Sequence, residues 1–213
     1  MREVHHPLLR RMSGLLKVGD DLILSRGGLF SPSDSSASLL FLLTSRDSIR
    51  SLPVTFADIT TIGAPMPVRM SMPVRRADNK IYFSINLATA VVFYDLNTSE
   101  KSTTVLSLDV PAGMGDKSPD EFMTALLGDT EMLFDYHVID GRLVTITRKT
   151  VEGTQRWFVS FLREDGAPEY VSEPIAEHVT WVTESEIMSI GPDTVSVDGG
   201  HILRSYPYSL PRR

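Results

Sequence analysis

One pattern of strand and turn signals is repeated along this chain, and it constrains the fold more than any single motif does. The stretch "ADNKIYFSINLATAVVFYDLNTSEK", residues 77–101, contains a polar turn, an apolar run, a gap, a second apolar run and another polar turn. The same order returns in "VIDGRLVTITRKTVEGTQRWFVSFLREDG". The apolar runs are rich in β-branched and aromatic residues, which favour strands, and a repeated unit of this kind indicates a repeat architecture.

Short acidic or glycine-containing turns mark the units at Gly19, Asp78, Asp140 and Glu184, with spacings of 59, 62 and 44 residues. One strand precedes each turn and further strands follow it, which makes a meander of four strands. The predicted fold class is therefore all-β, a β-propeller-like array of about four four-stranded antiparallel blades in a single domain, 1–213. The predicted blade-like units are about 14–56, 67–110, 131–175 and 177–208.

The strand patterns also predict burial. In "RLVTITRK", Val144 and Ile146 alternate with Thr145 and Thr147, which is the period of a strand buried on one face only. By contrast "AVVFYDL" and "WFVSFL" are nearly apolar throughout, as in strands that are covered on both faces. The first strand of the second unit is predicted in "RMSMPVR", and a short strand of the last unit in "TVSV" at 194–197.

One helix is predicted between the second and third units, near 118–128. Ser118 has the properties of an N-cap, Pro119 suits the first helical position, and Glu121 completes a capping box. Gly128 then ends the helix. These signals predict two to three helical turns inserted into an otherwise all-β chain.

The composition of the chain argues against several classes of function. The formal charge of −6 argues against general affinity for nucleic acid, and the absence of cysteine excludes disulfides, thiolate nucleophiles and cysteine-ligated metals. No run reaches the roughly 20 apolar residues of a membrane helix, and no apolar stretch of signal-peptide length is present. The compartment stays open, because the protein would be exported if an upstream leader is missing from this sequence.

No metal, cofactor or catalytic site is predicted. His5 and His6 are adjacent, and His137, His178 and His201 are spread over the last two units without the spacing of metal ligands. Paired carboxylates occur only at turns or at the helix start, where Asp and Glu are favoured for backbone hydrogen bonding.

Three residues are predicted to line a central channel. Arg75, His137 and Trp181 each lie three positions before a unit-marking turn, on the strand that would be innermost in its blade. Equivalent positions in neighbouring blades would direct these side chains toward one space, where convergent groups could bind a ligand. The alternative is that they fill the channel or face outward.

The blade pattern resembles the bacterial six-bladed β-propeller superfamily, which includes NHL-like and TolB-like propellers. The resemblance is carried by "ADNKIYFSI…VVFYDLNTSEK" and "IDGRLVTI…WFVSFLREDGAPEYV" and covers about 77–175 well. Members often act as recognition surfaces, and some relatives are calcium-dependent lactonases. No catalytic motif of the family maps onto this sequence. Four units can be identified in this sequence, whereas members of the superfamily have six blades. The chain would therefore be a partial or shortened member.

The predicted function is a non-enzymatic binding or scaffolding module whose ligand is an unknown protein or small molecule. The alternative is a metal-dependent hydrolase of the lactonase type, with acidic residues around a metal in the channel. A domain fragment without independent activity is a third alternative. If the array is open, its unpaired blade edges predict self-association.

Overall fold

The structure is a computed structural model that describes residues 9, 12–30, 36–46, 48–59, 68–70, 74–86, 88–128, 130–192 and 200–209. For 28–30 and 68–70 only the backbone is considered. The strands are, in chain order, β1 (Met12–Val18), β2 (Asp21–Arg26), β3 (Gly28–Phe30), β4 (Leu40–Leu43), β5 (Ile49–Ser51), β6 (Val68–Met70), β7 (Val74–Ala77), β8 (Lys80–Phe83), β9 (Ala90–Asp95), β10 (Lys101–Val105), β11 (Met132–Ile139), β12 (Arg142–Val151), β13 (Thr154–Leu162), β14 (Pro168–Val171), β15 (His178–Val182), β16 (Glu186–Pro192) and β17 (His201–Pro207).

These strands form antiparallel sheets that follow one another along the chain. The first sheet has the order β1-β2-β4-β5, the second β7-β8-β9-β10, the third β11-β12-β13-β14 and the fourth β15-β16-β17. The sheets are arranged in a ring like the blades of a propeller. Strand β7 contacts β1 on one side and β11 on the other, so the first strand of a sheet is the innermost one. The prediction of an all-β, propeller-like array is confirmed.

Two details differ from the sequence prediction. The segment predicted as one strand, "RMSMPVR", is divided: β6 pairs with β3 in a two-stranded ribbon, and β7 begins at Val74. The fourth sheet has three strands in the part of the chain that the structure describes. The strand predicted at 194–197 lies outside the described residues.

The alternation in β12 predicted the correct faces but the wrong burial. Val144 and Ile146 pack between the third and fourth sheets, and Thr145 and Thr147 belong to the opposite face. However, all four side chains are buried. The prediction of a half-buried strand is therefore wrong, because the second sheet covers the threonine face as well.

Helix α1 (Pro119–Gly128) confirms the predicted insertion. The Ser118 hydroxyl accepts the backbone N–H of Glu121 at 3.4 Å, and the Glu121 carboxylate accepts the backbone N–H of Ser118 at 3.0 Å. This reciprocal pair satisfies two N–H groups at the start of the helix. Phe122 and Leu126 anchor the helix in the apolar core that the first three sheets share.

The third sheet has apolar cores on both of its faces. Leu143 and Leu162 join the larger core, which extends through the second sheet to the first. On the opposite face Val159 and Phe161 pack against Val179 of the fourth sheet, among other residues. Face-to-face packing of this kind is how a small antiparallel sheet removes its apolar side chains from water.

Gly166 offers a test of how closely the third sheet packs on the second. Its φ is +82°, and a Cβ there would lie 2.5 Å from the carbonyl oxygen of Val105. Gly153 has a similar φ of +74° but open space around it, so it serves as a matched control. We expect Gly153→Ala to cost about 1–2 kcal/mol for the left-handed backbone. Gly166→Ala should cost about 1–3 kcal/mol more because of the clash.

Urea unfolding of the two variants measures this difference. Equal losses of unfolding free energy would show that the turn at Gly166 is not held against β10.

Candidate functional site

Arg75 links the innermost strand of the second sheet to the innermost strand of the third. It lies on the innermost strand β7, and its guanidinium donates two hydrogen bonds of 2.9 Å to the two carboxylate oxygens of Asp135 on β11. Its Nε donates a third, at 3.2 Å, to the backbone carbonyl of Tyr136. Both bonds to Asp135 come from the single nitrogen Nη2, and the Nε bond to Tyr136 is a second point of attachment, so the guanidinium ties the two innermost strands together.

His137 lies beside this ion pair on the same strand as Asp135. The residue is 7% exposed, and its Nε2 is buried without a hydrogen-bond partner among the described residues. Oδ2 of Asp135 lies 3.5 Å from this nitrogen. Burial lowers the pKa of His137 below its ordinary value of 6.5; Asp135 opposes this shift and Arg75 adds to it. The imidazole is therefore neutral at neutral pH.

Trp181 provides an open aromatic surface next to His137. It lies on β15, the first strand of the fourth sheet, and is 52% exposed. Its ring centroid is 5.4 Å from that of His137, and the two ring planes meet at 60°. An exposed indole beside a polar atom combines an apolar face for packing with a point for a directed hydrogen bond.

The structure thus brings together the three residues that the sequence singled out. Arg75, His137 and Trp181 come from three successive sheets and form one connected cluster, here called the axial cluster, together with Asp135. Their role in binding a ligand stays a prediction.

Asp135 is the member that the sequence analysis missed. The register of β11 against β12 shifts between Leu133 and Asp135, so a simple alternation counted along the strand does not give the direction of this side chain. An aspartate two positions before His137 on a predicted inner strand is the only signal that could have identified it.

The charges of the axial cluster cancel. Asp135 accepts Arg75 on both oxygens and also accepts the backbone N–H of Tyr136 at 2.7 Å. With the imidazole neutral, the groups left for an incoming molecule are Nε2 of His137 and the indole face of Trp181. This arrangement can bind and orient a ring, and it provides no free carboxylate for acid–base chemistry.

In the part of the chain that the structure describes, no group of three or more His, Cys, Asp or Glu side chains is placed to hold a metal ion. His178 packs against Phe134 and Trp157, with ring centroids 4.9 and 4.6 Å away, and His201 lies on β17. His5 and His6 lie outside the described residues.

Among the helices in the described ranges, none is long and apolar enough to cross a membrane.

Comparison of the chain with protein-family models, with curated proteins and with solved structures finds no match.

The buried imidazole makes stability depend on pH with a definite sign. Because the pKa of His137 is lower in the folded chain than its ordinary value of 6.5, the unfolded chain binds a proton first as the pH falls. The contribution to stability is present above that value and is lost as the pH decreases toward the folded pKa. We expect the unfolding free energy to fall between neutral pH and about pH 5, and to fall less in His137→Gln.

Chemical denaturation at several pH values measures both slopes. His201→Gln, which removes an exposed histidine from β17, is the control and should keep the slope of the original chain. An unchanged slope in His137→Gln would contradict the buried, neutral state of this imidazole.

Proposed function

We propose that this chain is a non-enzymatic binding module of the β-propeller type, and that it holds a ring-bearing ligand at its axis. The ligand is a small planar molecule or an aromatic side chain of a partner protein. The observation that carries the proposal is the convergence of three innermost strands on one cluster. In it a buried polar atom has no partner among the residues that the structure describes, and an adjacent indole is half exposed.

The ring of the ligand would pack on Trp181, and a polar group on that ring would hydrogen-bond to Nε2 of His137. Because the indole lies against the imidazole and has an open side, a change of its rotamer would admit the ligand to Nε2. A buried nitrogen without a partner costs free energy, about 1–3 kcal/mol, and a ligand that satisfies it recovers that cost. Arg75 and Asp135 act as positioning residues, since they are already paired with each other.

The blade pattern adds support from the resemblance to NHL-like and TolB-like propellers, many of which act as recognition surfaces. Membership of that six-bladed, bacterial superfamily stays part of the proposal, since the array has four sheets. The lactonase alternative has no supporting observation among the residues that the structure describes, and it is not developed further.

The two tryptophans of the chain permit a direct test by fluorescence. Trp157→Phe leaves Trp181 as the reporter, and Trp181→Phe leaves the buried Trp157. Each variant is titrated with nicotinamide, benzamide, adenosine and the dipeptide Gly-Tyr, all of which combine a ring with a hydrogen-bonding group. At least one probe should change the Trp181 signal saturably and leave the Trp157 signal unchanged.

Affinity then separates the two contacts. Measured by isothermal titration calorimetry, which needs no tryptophan reporter, Trp181→Ala should weaken binding about tenfold through the loss of ring packing. His137→Phe should weaken it by about five- to tenfold through the loss of one hydrogen bond. The proposal is wrong if no probe perturbs Trp181 at millimolar concentration, or if both variants bind as tightly as the original chain.

A further inference from the structure

A cavity of about 440 Å³ lies between the third sheet and the segment that follows β10 of the second sheet. Its size is within the range of roughly 300–1,000 Å³ typical of small-molecule sites. It shares no residue with the axial cluster. The residues that line it fall into a hydroxyl row, a charged pair and an apolar wall, and include Ser107, Glu131, Thr145, Lys149, Phe158 and Ser160.

The hydroxyl row is a consequence of strand register. Thr145 of β12 is paired directly with Ser160 of β13, so their side chains lie on the same face of the third sheet, and Ser107 lines the cavity as well. Among the described residues no hydrogen bond involves the hydroxyl of Thr145, Ser160 or Ser107. These hydroxyls lie on the wall of a cavity, where they can donate to and accept from a polar occupant.

The charged side of the cavity is held in place by its own hydrogen bonds. Thr147 donates to Glu131 Oε1 at 2.7 Å, and the backbone N–H of Asp109 donates to Glu131 Oε2 at 3.2 Å. Lys149 donates to Asp109 Oδ2 at 2.5 Å. Each carboxylate oxygen of Glu131 keeps a further acceptor site, and the ammonium of Lys149 keeps further donors, so both groups can still contact a ligand.

The cavity also has an apolar surface, which is formed by Leu106, Leu108, Phe158 and Val171. Lys149 is already paired with Asp109, so the charge of Glu131 remains, and this disfavours an anionic ligand. A sugar ring has an apolar C–H face together with hydroxyls that both donate and accept, and it matches the lining on each count.

From these observations we propose that this cavity is a second binding site and that it accepts a neutral sugar of one or two rings. The hydroxyls of the sugar would bond to Thr145, Ser160 and Glu131, and its C–H face would pack against Phe158 and the leucines. This inference does not depend on the function proposed for the axial cluster.

Titration of the isotope-labelled full chain with glucose, galactose, mannose, maltose, lactose and cellobiose, followed by NMR, tests the site. At least one of these sugars should shift the amide resonances of β12, β13 and 106–108. Trp181→Ala, which alters only the axial cluster, should leave these shifts unchanged, so failure of one proposal is distinguishable from failure of the other.

Matched substitutions at one position isolate the hydroxyl. Thr145→Val keeps the shape of the side chain and removes its hydroxyl, and we expect it to weaken sugar binding about five- to tenfold. Thr145→Ser keeps the hydroxyl and should bind within about twofold of the original chain. Thr103→Val, the same exchange at an exposed position of β10, should have no effect on sugar binding.

Ser160→Leu, which fills the cavity, should abolish the shifts; if this variant does not fold, the Thr145 pair still decides the question. The proposal is overturned if none of the six sugars shifts these resonances at 20 mM, or if Thr145→Val binds as the original chain does.

Discussion

The packing of the third sheet against both of its neighbours is the constraint on which the rest of the structure depends. One of its faces contributes to the core shared with the first and second sheets, and the other forms the core with the fourth. A single four-stranded sheet cannot bury both of its faces by itself, so the third sheet depends on both neighbours to remove its apolar side chains from water. Tyr136 strengthens this arrangement, because its buried hydroxyl donates to the backbone carbonyl of Tyr82 at 2.8 Å.

The two faces of the third sheet are not equivalent, and this difference generates the cavity. Toward the fourth sheet the side chains of β12 and β13 are apolar and packed, as at Val144, Ile146 and Phe161. Toward the second sheet Leu143 and Leu162 join the shared core, whereas the pair Thr145 and Ser160, two positions away on the same strands, lines the cavity. Short polar side chains fill less volume than leucine, so space remains between the two sheets beside this pair.

Sequence patterns predicted the parts of this structure that depend on neighbours along the chain. The helix at 118–128 followed from Ser118, Pro119 and Glu121, which interact only with each other and with the local backbone. The burial of Thr145 and Thr147 could not be predicted, because the alternation in a strand shows which residues share a face and does not show what covers that face. The pairing of Asp135 with Arg75 joins residues 60 positions apart, and the cavity depends on how the segment 106–108 crosses the third sheet.

Irregularities in two innermost strands explain how side chains from different sheets reach the axial cluster. The register of β11 shifts between Leu133 and Asp135, and that of β15 shifts between Val179 and Trp181, so Asp135 and Trp181 each come directly after an irregularity on an innermost strand. A bulge changes the direction of the side chains that follow it, and bulges occur often beside functional sites.

Strand β7 pairs regularly with β8, and the long side chain of Arg75 spans the distance to the third sheet instead. Two bulged strands and one extended guanidinium therefore direct residues of three sheets to the same point, where each also has to satisfy its own hydrogen bonds. His137 is the member whose buried nitrogen has no partner within the described residues, which makes it the atom of the cluster most suited to receive a ligand.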